Sequence, residues 1–146
     1  MIVSEGVSNI FEHPAPIKLV TVNCVGVMGK GIALEAKKRY PSILRNYKEK
    51  CRLGIMKPGS ILPYYITSKE LILLVATKDH WSNGSKLEWV ETICTKLVDN
   101  LDKLGDCDIA IPPLGCGNGG LDYPTEVKPL LYKYLESIKN KIHICL

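Results

Sequence analysis

Apolar residues in this chain fall into two kinds of run, and the alternation between them predicts the fold class. Near-continuous, β-branched runs occupy residues 17–24, 71–76 and 107–111, the pattern of strands buried on both faces. Shorter apolar stretches, residues 1–3 and 141–146, read as strands at the two ends. Residues 60–67 are joined to 71–76 by Ser68-Lys69-Glu70, so the two read as a hairpin or as neighbouring strands of one sheet.

Between these runs the apolar positions shift to helical spacing. Residues 32–39 predict a helix that stops at Tyr40-Pro41. Residues 42–53 predict another, with Ile43, Leu44, Tyr47 and Cys51 on one side and Gly54 at its end. The clearest helical pattern is Leu87, Val90, Ile93, Leu97, Leu101 and Leu104, closed by Gly105. Ser85 and Glu88 stand at capping-box spacing at its start. Val127, Leu130, Leu131, Tyr134, Leu135 and Ile138 mark a last helix, regular from about Pro129 because a proline would break its interior. Strands alternating with helices predict an α/β protein, a three-layer α/β/α domain.

Two of the predicted strands empty into glycine loops. The first loop is Val25-Gly26-Val27-Met28-Gly29-Lys30-Gly31-Ile32, entered through Asn23 and Cys24; the second is Pro113-Leu114-Gly115-Cys116-Gly117-Asn118-Gly119-Gly120-Leu121. Strand, glycine loop and helix together present backbone N–H groups and a helix N-terminus to a phosphate. Either loop alone also reads as tight turns that need positive φ. Two of them, each at the carboxyl end of a buried strand, predict one crevice for one nucleotide-like ligand. Gly115-x-Gly117-x-x-Gly120 matches the dinucleotide fingerprint, but the ribose-binding acid expected about 20 residues on falls near Asn140. Lys30 is followed by Gly31, not Ser or Thr, and lacks Walker spacing. An NAD-binding Rossmann fold and a P-loop ATPase are both excluded.

Bulk properties narrow the setting. A length of 146 residues suits one domain with a core of its own. The net charge of +4 comes from Lys and Arg spread along the chain, which fits a phosphate-rich ligand at least as well as a general nucleic-acid binder. No apolar run approaches the roughly 20 residues that span a bilayer, and the first residues lack the pattern of a signal peptide. The six cysteines include no CxxC pair and read as reduced thiols of a cytoplasmic protein. Asn83-Gly84-Ser85 is then a turn rather than a glycosylation site. No metal and no cofactor are implied.

The two loops, together with Ala76-Thr77-Lys78-Asp79-His80-Trp81, resemble the macro domain, an ADP-ribose-binding α/β/α module with a mixed central sheet. The third motif is similar to that of the DarG antitoxin branch, whose macro domain removes ADP-ribose from thymidine in DNA modified by the partner toxin DarT. The resemblance covers essentially all of residues 1–146, which implies a single macro domain acting as an ADP-ribosyl glycohydrolase. It implies ADP-ribose and ADP-ribosylated DNA as partners, a DarT-like toxin context, and a monomer with no membrane attachment. It also implies that Asn23 contacts the distal ribose and that Val25, Gly26, Val27, Met28, Gly29, Lys30, Gly31 and Ile32 wrap that ribose and the diphosphate. Ser8, Asn9 and Ile10 sit where the family places adenine contacts. Gly115, Cys116, Gly117, Asn118, Gly119, Gly120 and Leu121 would cradle the diphosphate, with Pro113 and Leu114 as ligand contacts before them. Lys78 matches the catalytic lysine of the branch, whereas Gly119 stands where the related terminal ADP-ribose glycohydrolase has a catalytic aspartate. Alternatives are a domain that binds ADP-ribose and releases nothing, and a phosphatase acting on ADP-ribose 1″-phosphate.

By residue type alone Lys78 is a solvated lysine after a strand; the motif makes it the nucleophile instead. A neutral lysine amine can attack C1″ of the distal ribose, or its ring-opened aldehyde as a Schiff base, if desolvation or a second cation lowers its pKa. His80 is the candidate acid or base and Asp79 a candidate orienting carboxylate. Asp122 is placed either to approach the ribose or to cap the next helix. Trp81 reads either as packing or as a stacking partner for an extruded base. Cys24 and Cys116 read as small packing residues.

Overall fold

The computed structural model describes all 146 residues. In chain order the elements are strands β1 (Ile2–Gly6) and β2 (Ile17–Val22), helices α1 (Gly31–Arg39) and α2 (Ser42–Arg52), and strands β3 (Ile61–Tyr65) and β4 (Leu71–Ala76). Helices α3 (Leu87–Asp99) and α4 (Leu101–Leu104), strand β5 (Ile109–Ile111), helix α5 (Lys128–Leu135) and strand β6 (Ile142–Cys145) complete it. One six-stranded sheet runs β1-β6-β5-β2-β4-β3. Every pairing is parallel except the β3–β4 hairpin, which makes the sheet mixed. Every residue of β4 is buried, as its unbroken apolar run requires of a strand covered on both faces. At the edge, β3 carries Pro63, a residue that edge strands tolerate.

Helices cover both faces. On one, Ala33 and Ala36 of α1 and Ile43 and Tyr47 of α2 pack on Val20, Val22, Ile72 and Leu74. On the other, Val90, Ile93 and Leu97 of α3 and Leu131 and Leu135 of α5 pack on Leu19, Leu73, Ile111 and Ile144. The α/β/α layering read from the alternation is therefore present. No helix is long and apolar enough to cross a membrane.

Several boundaries differ from the sequence reading, two of them because an asparagine side chain takes a backbone carbonyl. The long helical pattern splits at Asn100, whose Nδ2 donates to Lys96 O at 2.7 Å and so draws off a helix carbonyl. Gly105 ends the helical stretch with φ 68°. The strand expected from residue 107 begins at Ile109, because Asn140 Nδ2 donates to Cys107 O at 2.9 Å. Ser85 is not a helix cap: Lys86 holds that position with no side-chain hydrogen bond. Asp122 does cap, accepting from the Thr125 amide at 3.0 Å, while Glu126 accepts from the Asp122 amide at 2.9 Å. That capped turn leads into α5, and Pro129 sits in its first turn, where its missing N–H costs nothing.

Candidate functional site

Strands β2 and β5 are neighbours, yet their following segments leave in opposite directions, toward α1 on one face and α5 on the other. Such a switch point opens a crevice at the carboxyl ends of a parallel sheet. Here it holds a cleft of about 1140 Å³, large enough for a ligand of nucleotide size.

The first glycine loop forms one wall. Asn23 is 7% exposed, and its side chain is committed to the shape of its own loop. Its Nδ2 donates to Val27 O at 2.8 Å, and its Oδ1 accepts from the amides of Val25 at 3.0 Å and Val27 at 3.4 Å. The buried Tyr47 hydroxyl lies 2.7 Å from both Asn23 Oδ1 and the Asn23 carbonyl. Asn23 thus reads as the keystone of the loop as well as part of its wall. Val27, Gly29, Lys30, Gly31 and Ile32 line the cleft with it. Met28 instead points into the core beneath α1 and α2, Val25 is exposed, and Gly26 packs against Lys48. The unpaired N–H groups of the first turn of α1 open at Gly31, and Lys30 adds its charge to that positive helix end.

The second loop forms the facing wall through Pro113, Gly115, Cys116, Gly117, Asn118 and Gly119. Leu114 turns into the main core, and Leu121 packs at its edge. Gly120 ends a single turn in the left-handed conformation. Gly115 has φ 74°, a conformation that favours glycine, and a β-carbon there would crowd Leu121 Cδ1 at 2.7 Å. The two walls approach each other where a β-carbon on Gly31 would stand 3.6 Å from Asn118 Nδ2. Ser8, Asn9 and Ile10 line the cleft from a separate segment, and the Asn9 side chain fixes that segment by accepting from the Phe11 amide at 3.0 Å.

The segment after β4 lies between both loops. Lys78 lines the cleft, and its Nζ donates to the Trp81 carbonyl at 3.3 Å. Desolvation, and then the charge of Lys30, hold its pKa below the ordinary lysine value. His80 does not line the cleft. Its Nδ1 accepts from the Ser82 amide at 3.1 Å, which leaves the proton on Nε2, and its ring packs at a tilt against Trp81. Asp79 takes no part in the wall by its side chain, but its carbonyl accepts from the Cys24 amide at 3.1 Å. The Cys24 thiol donates to Lys78 O at 3.3 Å, and burial pushes its pKa up to about 12, so it is a packing thiol. Burial likewise pushes Cys116 up to about 11.

Sequence reasoning did not assign Thr21, Ser82, Asn83, Gly84 and Cys145, all of which line the cleft. Residues 82–84 carried a signal, a polar turn directly after the lysine motif. Cys145 carried none, because it reaches the cleft only through the pairing of β6 with β5.

The family model for the macro domain matches residues 20–128. The chain is 39% identical over 135 residues to the DNA ADP-ribosyl glycohydrolase of Thermus aquaticus, covering 90% of this chain and 37% of that protein. It therefore spans little more than a third of that relative. The macrodomain of Thermus aquaticus DarG superposes with a TM-score of 0.88 at 35% identity, covering 98% of this chain and 97% of that one. Thermosipho africanus DarTG in complex with ADP-ribose superposes with a TM-score of 0.87 at 31% identity, covering 94% and 39%. With the family model spanning both walls and the lysine segment, the chain belongs to the macro domain family.

Proposed function

We propose that residues 1–146 act as a single macro domain that binds ADP-ribose between the two glycine loops and hydrolyses its bond to thymidine in modified DNA. The observation that carries this reading is Lys78, a lysine with a lowered pKa on the wall of a cleft built from two phosphate-type loops. A domain that only binds ADP-ribose has no need of a lysine amine at that place. Similarity to proteins named DNA ADP-ribosyl glycohydrolase supports the choice of DNA as acceptor.

Diphosphate oxygens would accept from the N–H groups of Gly115, Gly117 and Asn118 and from the start of α1, with Lys30 supplying charge; the Cys116 and Gly119 amides donate within the loop. The adenosine end would lie along Ser8, Asn9 and Ile10, and the distal ribose beside Asn23. The neutral Lys78 amine forms a bond to C1″ as the bond from C1″ to the thymine nitrogen breaks. The departing thymine anion takes up its proton from solvent water, since His80 does not line the cleft. Water then releases ADP-ribose and restores the amine. A DarT-type transferase would supply the modified base in the cytoplasm, and the domain would act as a monomer.

The test is a side-by-side incubation with DNA-linked, glutamate-linked and 1″-phosphorylated ADP-ribose. Release from the DNA-linked substrate, lost in Lys78→Ala, is the expected result. Tight binding of free ADP-ribose with no release from DNA would make the domain a reader. Turnover of the 1″-phosphate alone would make it a phosphatase.

A further inference from the structure

Trp81 is an exposed aromatic at a functional mouth. Its side chain is 54% exposed, yet it lines the same cleft as Lys78. A single exposed apolar residue on a surface needs no explanation, but this one is held in place. The His80 ring packs against the indole, 5.0 Å between ring centroids with a 35° tilt, and the imidazole is itself fixed by the Ser82 amide. The segment is tied at three further points. The Cys24 amide donates to Asp79 O at 3.1 Å, the Asn83 amide to His80 O at 3.1 Å, and the Ser85 amide to Gly119 O at 2.8 Å. The Trp81 carbonyl in turn accepts from the Lys78 ammonium.

Resting on the glycohydrolase reading above, we propose that Trp81 is the acceptor-side subsite, a platform on which the nucleobase linked to C1″ stacks while Lys78 attacks. The group leaving from C1″ must lie within a few ångströms of the lysine nitrogen, and Trp81, whose carbonyl that nitrogen meets at 3.3 Å, brings an indole to the same cleft. More than half of Trp81 is exposed, so indole surface is open to a base. A pre-held ring loses little entropy when the base lands. Stacking is open to any base because each has a π-face, so this subsite selects nucleobase acceptors over amino-acid acceptors without reading base identity. A base inside a duplex cannot present its face, so modified single strands are the favoured form.

The decisive measurement is the affinity of ADP-ribosyl-thymidine oligonucleotide against that of free ADP-ribose, made in the Lys78→Ala chain so that the ligand persists. Unmodified oligonucleotide serves as the control for general charge attraction. The expected advantage of the linked ligand is about tenfold, the size of one base–aromatic stack. Trp81→Ala should remove that advantage while leaving free ADP-ribose within about twofold, and Trp81→Phe should keep most of it. No advantage in the Lys78→Ala chain, an advantage indifferent to Trp81→Ala, or an equal loss for free ADP-ribose would each overturn the proposal. Hydrolysis of the same oligonucleotide by the unaltered chain is scored separately. Its absence would sink the glycohydrolase reading, and the binding comparison would still decide the fate of Trp81.

Discussion

Ser85 and Gly119 meet backbone to backbone: the Ser85 amide donates to the Gly119 carbonyl at 2.8 Å. A β-carbon on Gly119 would strike Ser85 Oγ and lie 3.0 Å from Ser85 Cβ. This contact joins the segment carrying Lys78 to the second glycine loop. At Gly119, where the resemblance to the terminal ADP-ribose glycohydrolase would place an aspartate, any β-carbon requires Ser85 to move. Gly119→Ala should cost about 1–3 kcal/mol in urea unfolding, the usual range for overpacking, and weaken ADP-ribose binding in calorimetric titration. Ser85→Ala alone should be mild, because its buried hydroxyl makes no hydrogen bond that could be lost. Combining Ser85→Gly with Gly119→Ala should recover part of both losses, with a coupling of at least about 0.5 kcal/mol. Strict additivity would show that the contact is not what excludes a side chain at 119.

The Asn23–Tyr47 pair predicts a different failure. Tyr47 is fully buried beneath the first glycine loop and offers its hydroxyl to Asn23. Tyr47→Phe keeps the ring and leaves a buried acceptor short of a donor, at a cost of about 1–2 kcal/mol. Asn23→Asp is nearly isosteric but turns an oxygen toward Val27 O where Nδ2 now donates. It should lower ADP-ribose affinity more than Tyr47→Phe does, at similar thermal stability. Equal affinities for the two variants would mean that Asn23 shapes the loop only through Tyr47.

How much of this was legible beforehand follows from how local each signal is. The unbroken apolar run of residues 71–76 reads as a buried strand because covering both faces leaves no polar position, and β4 is buried throughout. The loops were legible because positive φ and close approach favour glycine at Gly115, which records the constraint in the sequence itself. Ser85 misled because capping-box spacing is a local signal, while its actual partner, Gly119, is distant in sequence. Cys145 joins the cleft, and Asn140 shortens β5, through sheet neighbours that no window of adjacent residues contains. The split at Asn100 lay within reach, since an amide side chain in a helix competes for its carbonyls.

Acid should loosen the segment that carries Ser8, Asn9 and Ile10. His13 Nδ1 accepts from the Ala15 amide at 3.0 Å, and its ring lies 4.5 Å from that of His143. Burial first, then the charges of His143 and Lys18, lower its pKa from the ordinary 6.5, against a smaller opposing effect of Asp108. The unfolded chain therefore takes up the proton at higher pH than the folded one. The stability this histidine contributes is complete above about 6.5 and falls away as pH drops through its lowered folded value. Melting temperatures between about pH 5 and 7.5 should show that decline. His13→Asn keeps an acceptor for the Ala15 amide without the titration, so it should flatten the curve. An unchanged curve would assign the acid sensitivity to other groups.

The final prediction concerns the protonation of Lys78. If its amine is the nucleophile, kcat/KM on the DNA-linked substrate rises with pH and levels off at an inflection below the ordinary lysine value of 10.5. Desolvation is the larger cause of that depression and the Lys30 charge the smaller. Lys30→Met should therefore move the inflection upward without restoring 10.5, and lower the rate near neutral pH more than at high pH. Added salt should shift the unaltered chain in the same direction by screening the two cations. Lys78→Arg keeps the charge but cannot lose its proton, so it should be as inactive as Lys78→Ala, slower by at least about 10³-fold. A Lys78→Arg variant that retains activity would show that the residue acts by charge and not by attack. The nucleophile would then have to be water, and the pH profile would no longer report on this lysine.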